Sequence, residues 1–358
     1  MMRIDFLRSL CVMAASTTLA VAALGQTAAV TLPDLPKEPA AIFAAAAPLY
    51  DFKALALKPW HIHVSYQLYD LDSQPTVQGS FDYWWAGAKR WRTTWKREGM
   101  EESDWWLDGK HYRTSSGGSR SYFERNILSA LEPELAKVAA EDPAKHRLEL
   151  EREQFGKEKL PCVRVIAKEP GKPEVQHEPW FYPTYCFDPK HPFVTTYSPG
   201  MGETVTYGRL VQFQQFLVAK SLTVYSGMRK GLTVTMETLE VTKGDDEALA
   251  APAGVTAEGG AVDASKIPDV IVGSLVKKTQ PIYPQADKSA RRQGMVFLVA
   301  TIGKDGSIQD VEVLSGPSKT MEDAALAAVS QWTYKPYLLD GQPTEVETTV
   351  NVTFSLGR

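Results

Sequence analysis

The chain is short of charge of any one sign. Its 358 residues carry 39 Lys and Arg against 43 Asp and Glu, a net charge of −4 with the signs interspersed. No basic patch follows from that, which argues against nucleic acid as a partner. Recognisable catalytic patterns are also missing: there is no nucleophile elbow, and no local Cys/His pairing. The best metal candidate is His61-x-His63, two imidazoles on one face of a strand, but no third ligand accompanies them, and ordinary alternation explains the spacing. The residues therefore nominate no catalytic group, no metal site and no cofactor. Cysteine is scarce too, at three residues.

What is present begins with the first 25 residues. Arg3 and Arg8 precede an apolar, small-residue run from Ser9 to Leu24, and Ala23-Leu24-Gly25 places small side chains before Gln26. This is the pattern of a cleavable signal peptide over residues 1–25. The alternative is an uncleaved anchor helix, since the run nearly reaches the roughly 20 residues a bilayer needs. Cys11 lies inside the run rather than after it, so no lipoprotein cleavage box is indicated. Export makes the other two cysteines interesting. Cys162 and Cys186 both have strand-like flanks and can form a disulfide in an oxidising compartment, or remain two buried thiols.

From Trp60 onward the period is two. Ile62, Val64, Tyr66 and Leu68 share one strand face, and His61, His63, Ser65 and Gln67 the other. Further strands run through Val77 to Trp85, Trp91 to Trp95 and Trp105 to Leu107, with Asp108-Gly109 as a hairpin turn. Six of the nine tryptophans fall between Trp84 and Trp106. Adjacent pairs such as Trp84-Trp85 must point to opposite faces, so some aromatic surface needs a cover, from a helix or from a ligand. Ser121 to Ala144 repeats its apolar residues at helical spacing, and Pro133 kinks or splits that helix. More strands follow to Val241. A short helix, a long antiparallel meander, a helical insertion and more meander describe an antiparallel β half-barrel with helices in its mouth, over 39–243. The hairpins Gly79-x-Phe81-x-Tyr83 to Arg92 and Trp105 to Tyr112 resemble those of the LolA-type lipoprotein carriers; the resemblance implies a concave cavity for a lipid or other apolar ligand.

Residues 244–266 hold no aromatic and are rich in alanine, glycine and acid, which predicts a flexible linker. The last domain, 267–358, is a small α+β unit. Asp305-Gly306 joins two apolar strands, Val296–Ile302 and Ile308–Leu314, and Thr320 is placed to cap a helix with Glu322 and Asp323 in its first turn. One face of the small sheet is expected to lie under that helix. In the closing strand Val346, Thr348, Val350, Val352, Phe354 and Leu356 face the helix. Gln280-Pro281-Ile282-Tyr283-Pro284, Gly294, Asp305-Gly306, Trp332, Tyr334-Lys335-Pro336 and this last strand together resemble the TonB C-terminal domain. The resemblance implies a periplasmic module that docks an extended segment of an outer-membrane or other envelope protein by strand addition. Partner-binding positions matched on it are Gln280, Pro281, Tyr283, Pro284 and Arg291, with Val346, Thr348, Val350, Val352 and Phe354 as the contact strand. Glu322 stands where an aspartate is usual. The long Pro-Lys and Pro-Glu spacer of the transducers is missing.

The expected protein is α+β and non-enzymatic: a periplasmic binding protein linked to TonB-dependent transport. The alternatives are a lipid or lipoprotein carrier, a variant energy transducer anchored in the inner membrane and facing the periplasm, and, for the last strand's edge, pairing with a second copy of the chain.

Overall fold

The computed structural model describes residues 32–54, 57–118, 120–133, 135–140, 145–168, 181–200, 202–257, 275–339, 342–343 and 345–356. The signal-peptide segment 1–25 lies outside them, as does the second half of the expected linker.

The chain enters through α1 (Pro39–Ala46), which starts with proline in its first turn, where a missing N–H costs nothing. Five strands follow, β1 (Trp60–Tyr69), β2 (Pro75–Trp85), β3 (Arg90–Arg97), β4 (Met100–Leu107) and β5 (Lys110–Gly117). Asp108 and Gly109 make the β4–β5 turn at φ 52° and 83°, the left-handed region such a two-residue hairpin demands. The helical insertion is split as its proline requires, into α2 (Tyr122–Arg125), α3 (Ile127–Leu131) and α4 (Leu135–Ala140). A second meander then runs through β6 (His146–Phe155), β7 (Glu158–Ala167), β8 (Thr184–Phe187), β9 (Val194–Gly200) and β10 (Glu203–Tyr207). After Tyr207 the strand breaks at Gly208. It leaves β11 (Leu210–Phe213) to pair with β12 (Phe216–Ala219) as a separate small hairpin, and β13 (Ser221–Ser226) and β14 (Arg229–Val241) complete the meander.

Twelve of these strands form one antiparallel sheet in the order β5-β4-β3-β2-β1-β14-β13-β10-β9-β8-β7-β6. The sheet does not close, so β5 and β6 are its edges, and the architecture is the half-barrel expected. The even residues of β1 face α1, α3 and α4 in one core with Phe43, Phe81, Phe187, Ile127 and Leu135, all fully buried. Each such side chain contributes about 2–3 kcal/mol when taken out of water.

The tryptophans divide as the alternation demands. Trp85 and Trp95 enter the core. On the opposite face, Trp84 stacks on His61 at 3.7 Å. Trp105 is covered by the guanidinium of Arg92, 4.6 Å from its ring centre, and donates its indole N–H to the carbonyl of Ala248. That last contact corrects the expected linker. Residues 244–257 include a 3-10 turn, Glu247–Leu249, whose Leu249 is wholly buried. Composition concealed this, because a single buried leucine and the carbonyl of Ala248, which takes Arg92 and Trp105, suffice to fix the turn.

The C-terminal unit comprises β15 (Leu275–Lys277), α5 (Gln285–Ser289), β16 (Gly294–Ile302), β17 (Ile308–Ser315), α6 (Lys319–Val329), β18 (Thr333–Tyr334), β19 (Leu338–Leu339), β20 (Gln342–Pro343) and β21 (Val346–Phe354). Its main sheet is β17-β16-β21. Helix α6 covers one face through Met321, Ala325 and Val329. The cap of α6 is Ser318, whose hydroxyl accepts from the Met321 N–H. Thr320 was the expected cap; it instead donates to Asp287, since it already stands inside the first turn.

The register of β7 against β8 sets Cys162 directly opposite Cys186, and the two are joined as a disulfide. They are 24 residues apart, so the chain-entropy model assigns the bridge about 3 kcal/mol. Replacing both by serine should lower the urea unfolding free energy of the oxidised protein by that amount, and dithiothreitol should shift the wild type but not the double variant.

Candidate functional site

The site is built around β21, so its surroundings come first. β21 pairs with β16 from Val346↔Ile302 to Phe354↔Gly294 and with no other strand among the described residues. Val346, Val350, Val352 and Phe354 are buried beneath α6, and Thr348 is half-buried on the same face. Those five side chains therefore belong to the small core. What the strand offers a partner is its second row of main-chain N–H and C=O groups, together with the opposite-facing Glu347, Thr349, Asn351 and Thr353.

The lead-in gathers at the far end of the same strand. Tyr283 packs edge-on against Phe354, ring centres 5.3 Å apart, and donates its hydroxyl to the carbonyl of Arg292. Pro284 opens α5. Ile282, just before Tyr283, is 85% exposed, an apolar side chain held out in solvent. Gln280 and Pro281 precede it in the extended lead-in. Arg291 is not part of this group: it takes φ 50° in the exposed turn before β16, a conformational role that sequence position alone does not distinguish from binding. Below the lead-in, Asp287 is buried and accepts from Ser318, Thr320 and Arg292, which ties α5 to the start of α6.

The second face of the small sheet departs from expectation. It was expected to lie open, yet Phe297, Val299 and Leu314 on it are buried, with Tyr122 and Phe181 of the N-terminal domain packed against them. Three polar ties frame this apolar contact. Arg229 on β14 grips Glu322 with both guanidinium nitrogens, and Glu322 has no exposed surface. The Tyr122 N–H donates to both oxygens of Glu312 at 2.8 and 3.0 Å. Arg125 reaches Glu312 at 3.3 Å and Glu347, on β21 itself, at 2.7 Å. Removing Arg229 would strand a buried carboxylate, at a cost of about 3 kcal/mol. Local sequence could not show these partners, which lie 93 to 222 residues apart (from Arg229 to Glu322, and from Arg125 to Glu347). The one available signal was Glu322, a longer side chain than the family's aspartate.

Desolvation at this junction raises two carboxyls. Burial beneath α2 pushes Glu312 up, against the lowering influence of Tyr122 and Arg125. Glu203 is buried, and this desolvation pushes it up to about 7 against the lowering effect of the Tyr122 hydroxyl, which donates to it at 3.0 Å.

A second feature lies on the concave side of the large sheet. A pocket of about 390 Å³ is lined by Tyr83, Trp85, Trp91, Trp95 and Leu128, with Lys53, Thr93 and Asp104 as its polar members. Its charged end is neutralised internally. Asp104 holds His111 at 3.0 Å, Glu102 holds Arg120 at 2.6 Å, and Arg120 lies 4.0 Å over the Trp95 ring. On the convex side, His61 and His63 both bond to one oxygen of Asp82, at 2.8 and 2.9 Å.

Residues 279–356 match the family model of the Gram-negative bacterial TonB protein C-terminal domain. No curated protein matches the chain by sequence. Among solved structures, the solution structure of the Pseudomonas aeruginosa TonB C-terminal domain is 25% identical and covers 24% of this chain and 86% of its own, with a TM-score of 0.21. A LolA superfamily protein from Nitrosomonas europaea is 8% identical over 57% of this chain and 93% of its own, at a TM-score of 0.35. A putative outer membrane lipoprotein-sorting protein domain from Vibrio parahaemolyticus is 9% identical over 53% and 88%, at 0.32. The TonB C-terminal resemblance read from the sequence is thus matched by the family model over residues 279–356.

Glu203 gives a pH signature. Its folded pKa of about 7 lies above the ordinary glutamate value of 4.5, so the native state holds the proton more tightly than the unfolded chain. Its contribution is complete below about pH 4.5 and is lost as pH rises through about 7, a fall of about 3 kcal/mol. Urea midpoints measured from pH 4.5 to 8 should show this decline in the wild type and its removal in Glu203→Gln.

Proposed function

We propose that the protein is a periplasmic, non-catalytic binding protein whose C-terminal domain docks an extended segment of an outer-membrane or other envelope protein on β21. This would link it to TonB-dependent transport. One observation carries the reading. Both faces of the small sheet are covered, one by α6 and one by the N-terminal domain, while the outer edge of β21 has no partner among the described residues. An edge left open between two covered faces accepts a strand without repacking either core. The TonB C-terminal match over 279–356 supports the same surface. Amide exchange with a saturating peptide from the N-terminal segment of a TonB-dependent transporter should slow at least fivefold at alternate residues of 346–354. Protection confined to other segments, or absent, would refute the docking strand, and a peptide-free dimer protected at the same amides would favour pairing between copies.

The anchored-transducer alternative turns on Met1 to Leu24, which lie outside the described residues; among those described no helix is long and apolar enough to cross a membrane. A second reading, the carrier, is favoured by the aromatic pocket. Its walls of Tyr83, Trp85, Trp91 and Leu128 suit an apolar ligand, and its volume fits one chain of a lipid rather than a whole bilayer lipid. Trp91→Ala should weaken binding of a dansylated fatty acid about tenfold by fluorescence titration, whereas Trp106→Ala, outside the lining, should leave it unchanged.

A further inference from the structure

The docking strand and the aromatic pocket are joined by two consecutive residues. Glu124 belongs to the pocket side. Its carbonyl accepts the indole N–H of Trp95, a pocket wall, at 3.1 Å. Its carboxylate, without exposed surface, takes Tyr66 at 2.5 Å and Arg97 at 3.0 Å. Arg125 belongs to the docking side: its guanidinium bridges Glu312 on β17 and Glu347 on β21. Three residues further on, Leu128 lines the pocket directly. Segment 122–131 is therefore at once a wall of the pocket and a strap across the small sheet.

The strap has a weak point. Glu347 is the closer of Arg125's two carboxylates, and it projects from β21, the strand with the open edge. A strand added there sets one side chain about 5 Å from Glu347 on the same face. A lysine or arginine at that place competes directly with Arg125 for the carboxylate. Of its two carboxylates Arg125 then keeps Glu312, at the longer distance of 3.3 Å, alongside its bond to the carbonyl of Arg120.

We propose, resting on β21 as the docking strand, that docking of an extended segment bearing a basic side chain against Glu347 is linked to ligand occupancy of the aromatic pocket, through Arg125, Glu124 and Trp95. The linkage is reciprocal. A segment that displaces Arg125 loosens the pocket wall, and a ligand that fixes the wall opposes displacement by the same factor.

The test needs no peptide, because Glu347→Gln removes the carboxylate's charge from the far side of the strap. In the full chain, exchange of amides 122–128 should rise about fivefold, and the affinity of N-phenyl-1-naphthylamine for the pocket should change by a similar factor. Arg125→Lys should fall between the two, and Thr353→Ala, at the other end of β21, should match the wild type. Wild-type exchange and wild-type probe affinity in Glu347→Gln would overturn the linkage. So would equal loosening at Phe297 and Val299, which would mean that the whole domain had lifted away. A chain that passes this test yet binds no transporter peptide would instead refute the docking strand.

Discussion

Glu124 is the group on which the arrangement turns. It is a carboxylate with no exposed surface, sitting where the helical insertion meets the concave side of the large sheet. A lone buried charge would cost several kcal/mol, and here it is matched by Arg97, by the Tyr66 hydroxyl and by the Ser121 N–H of its own capping box. Those bonds pin a four-residue helix that could not persist alone, since helix formation is cooperative and short helices lack the bonds to sustain it. Everything that distinguishes the molecule hangs from that pinned turn. Tyr122 and Arg125 reach the small sheet from it, and Leu128 closes the aromatic pocket.

The small sheet is covered on both faces because it packs against a larger neighbour as well as its own helix. Its second face is apolar at Phe297, Val299 and Leu314 and ringed by Glu312, Glu322 and Glu347. The N-terminal domain answers with aromatic rings in the middle and arginines at the rim. Such a contact is more polar than a domain core and so is suited to opening. It also leaves the outer edges of β21 and β17 as the main-chain surfaces of the sheet that no strand pairs among the described residues.

Much of this was legible in the chain and some was not, for reasons that lie in particular residues. Period-two alternation fixed the faces of β1, β2 and β3, because burial on one side of a sheet permits no slip by one residue. The Asp-Gly turns and Pro133 placed their breaks correctly, since each acts through its own backbone. The open edge of β21 followed from a resemblance over the last fifth of the chain. Hidden were the interactions between distant residues, such as Arg229 with Glu322 and Arg125 with Glu347. An arginine on a strand and a glutamate in a helix's first turn both have adequate local explanations, and nothing nearby announces a partner. Leu249 was missed similarly: a segment poor in apolar residues was read as a flexible linker, although one buried leucine was enough to settle its first half.

The seam of the large sheet has a consequence for how the molecule is made. β1 pairs with β14 from Trp60↔Val241 to Leu68↔Leu232, so the two meanders become one sheet only along strands separated by most of the domain. Pairings of that span close slowly, because chain entropy must be given up before any contact compensates for it. Until Arg229–Val241 has been synthesised, β1 presents a bare hydrogen-bonding edge to whatever is near. The central seam therefore stays unsealed for as long as the second meander is still being made.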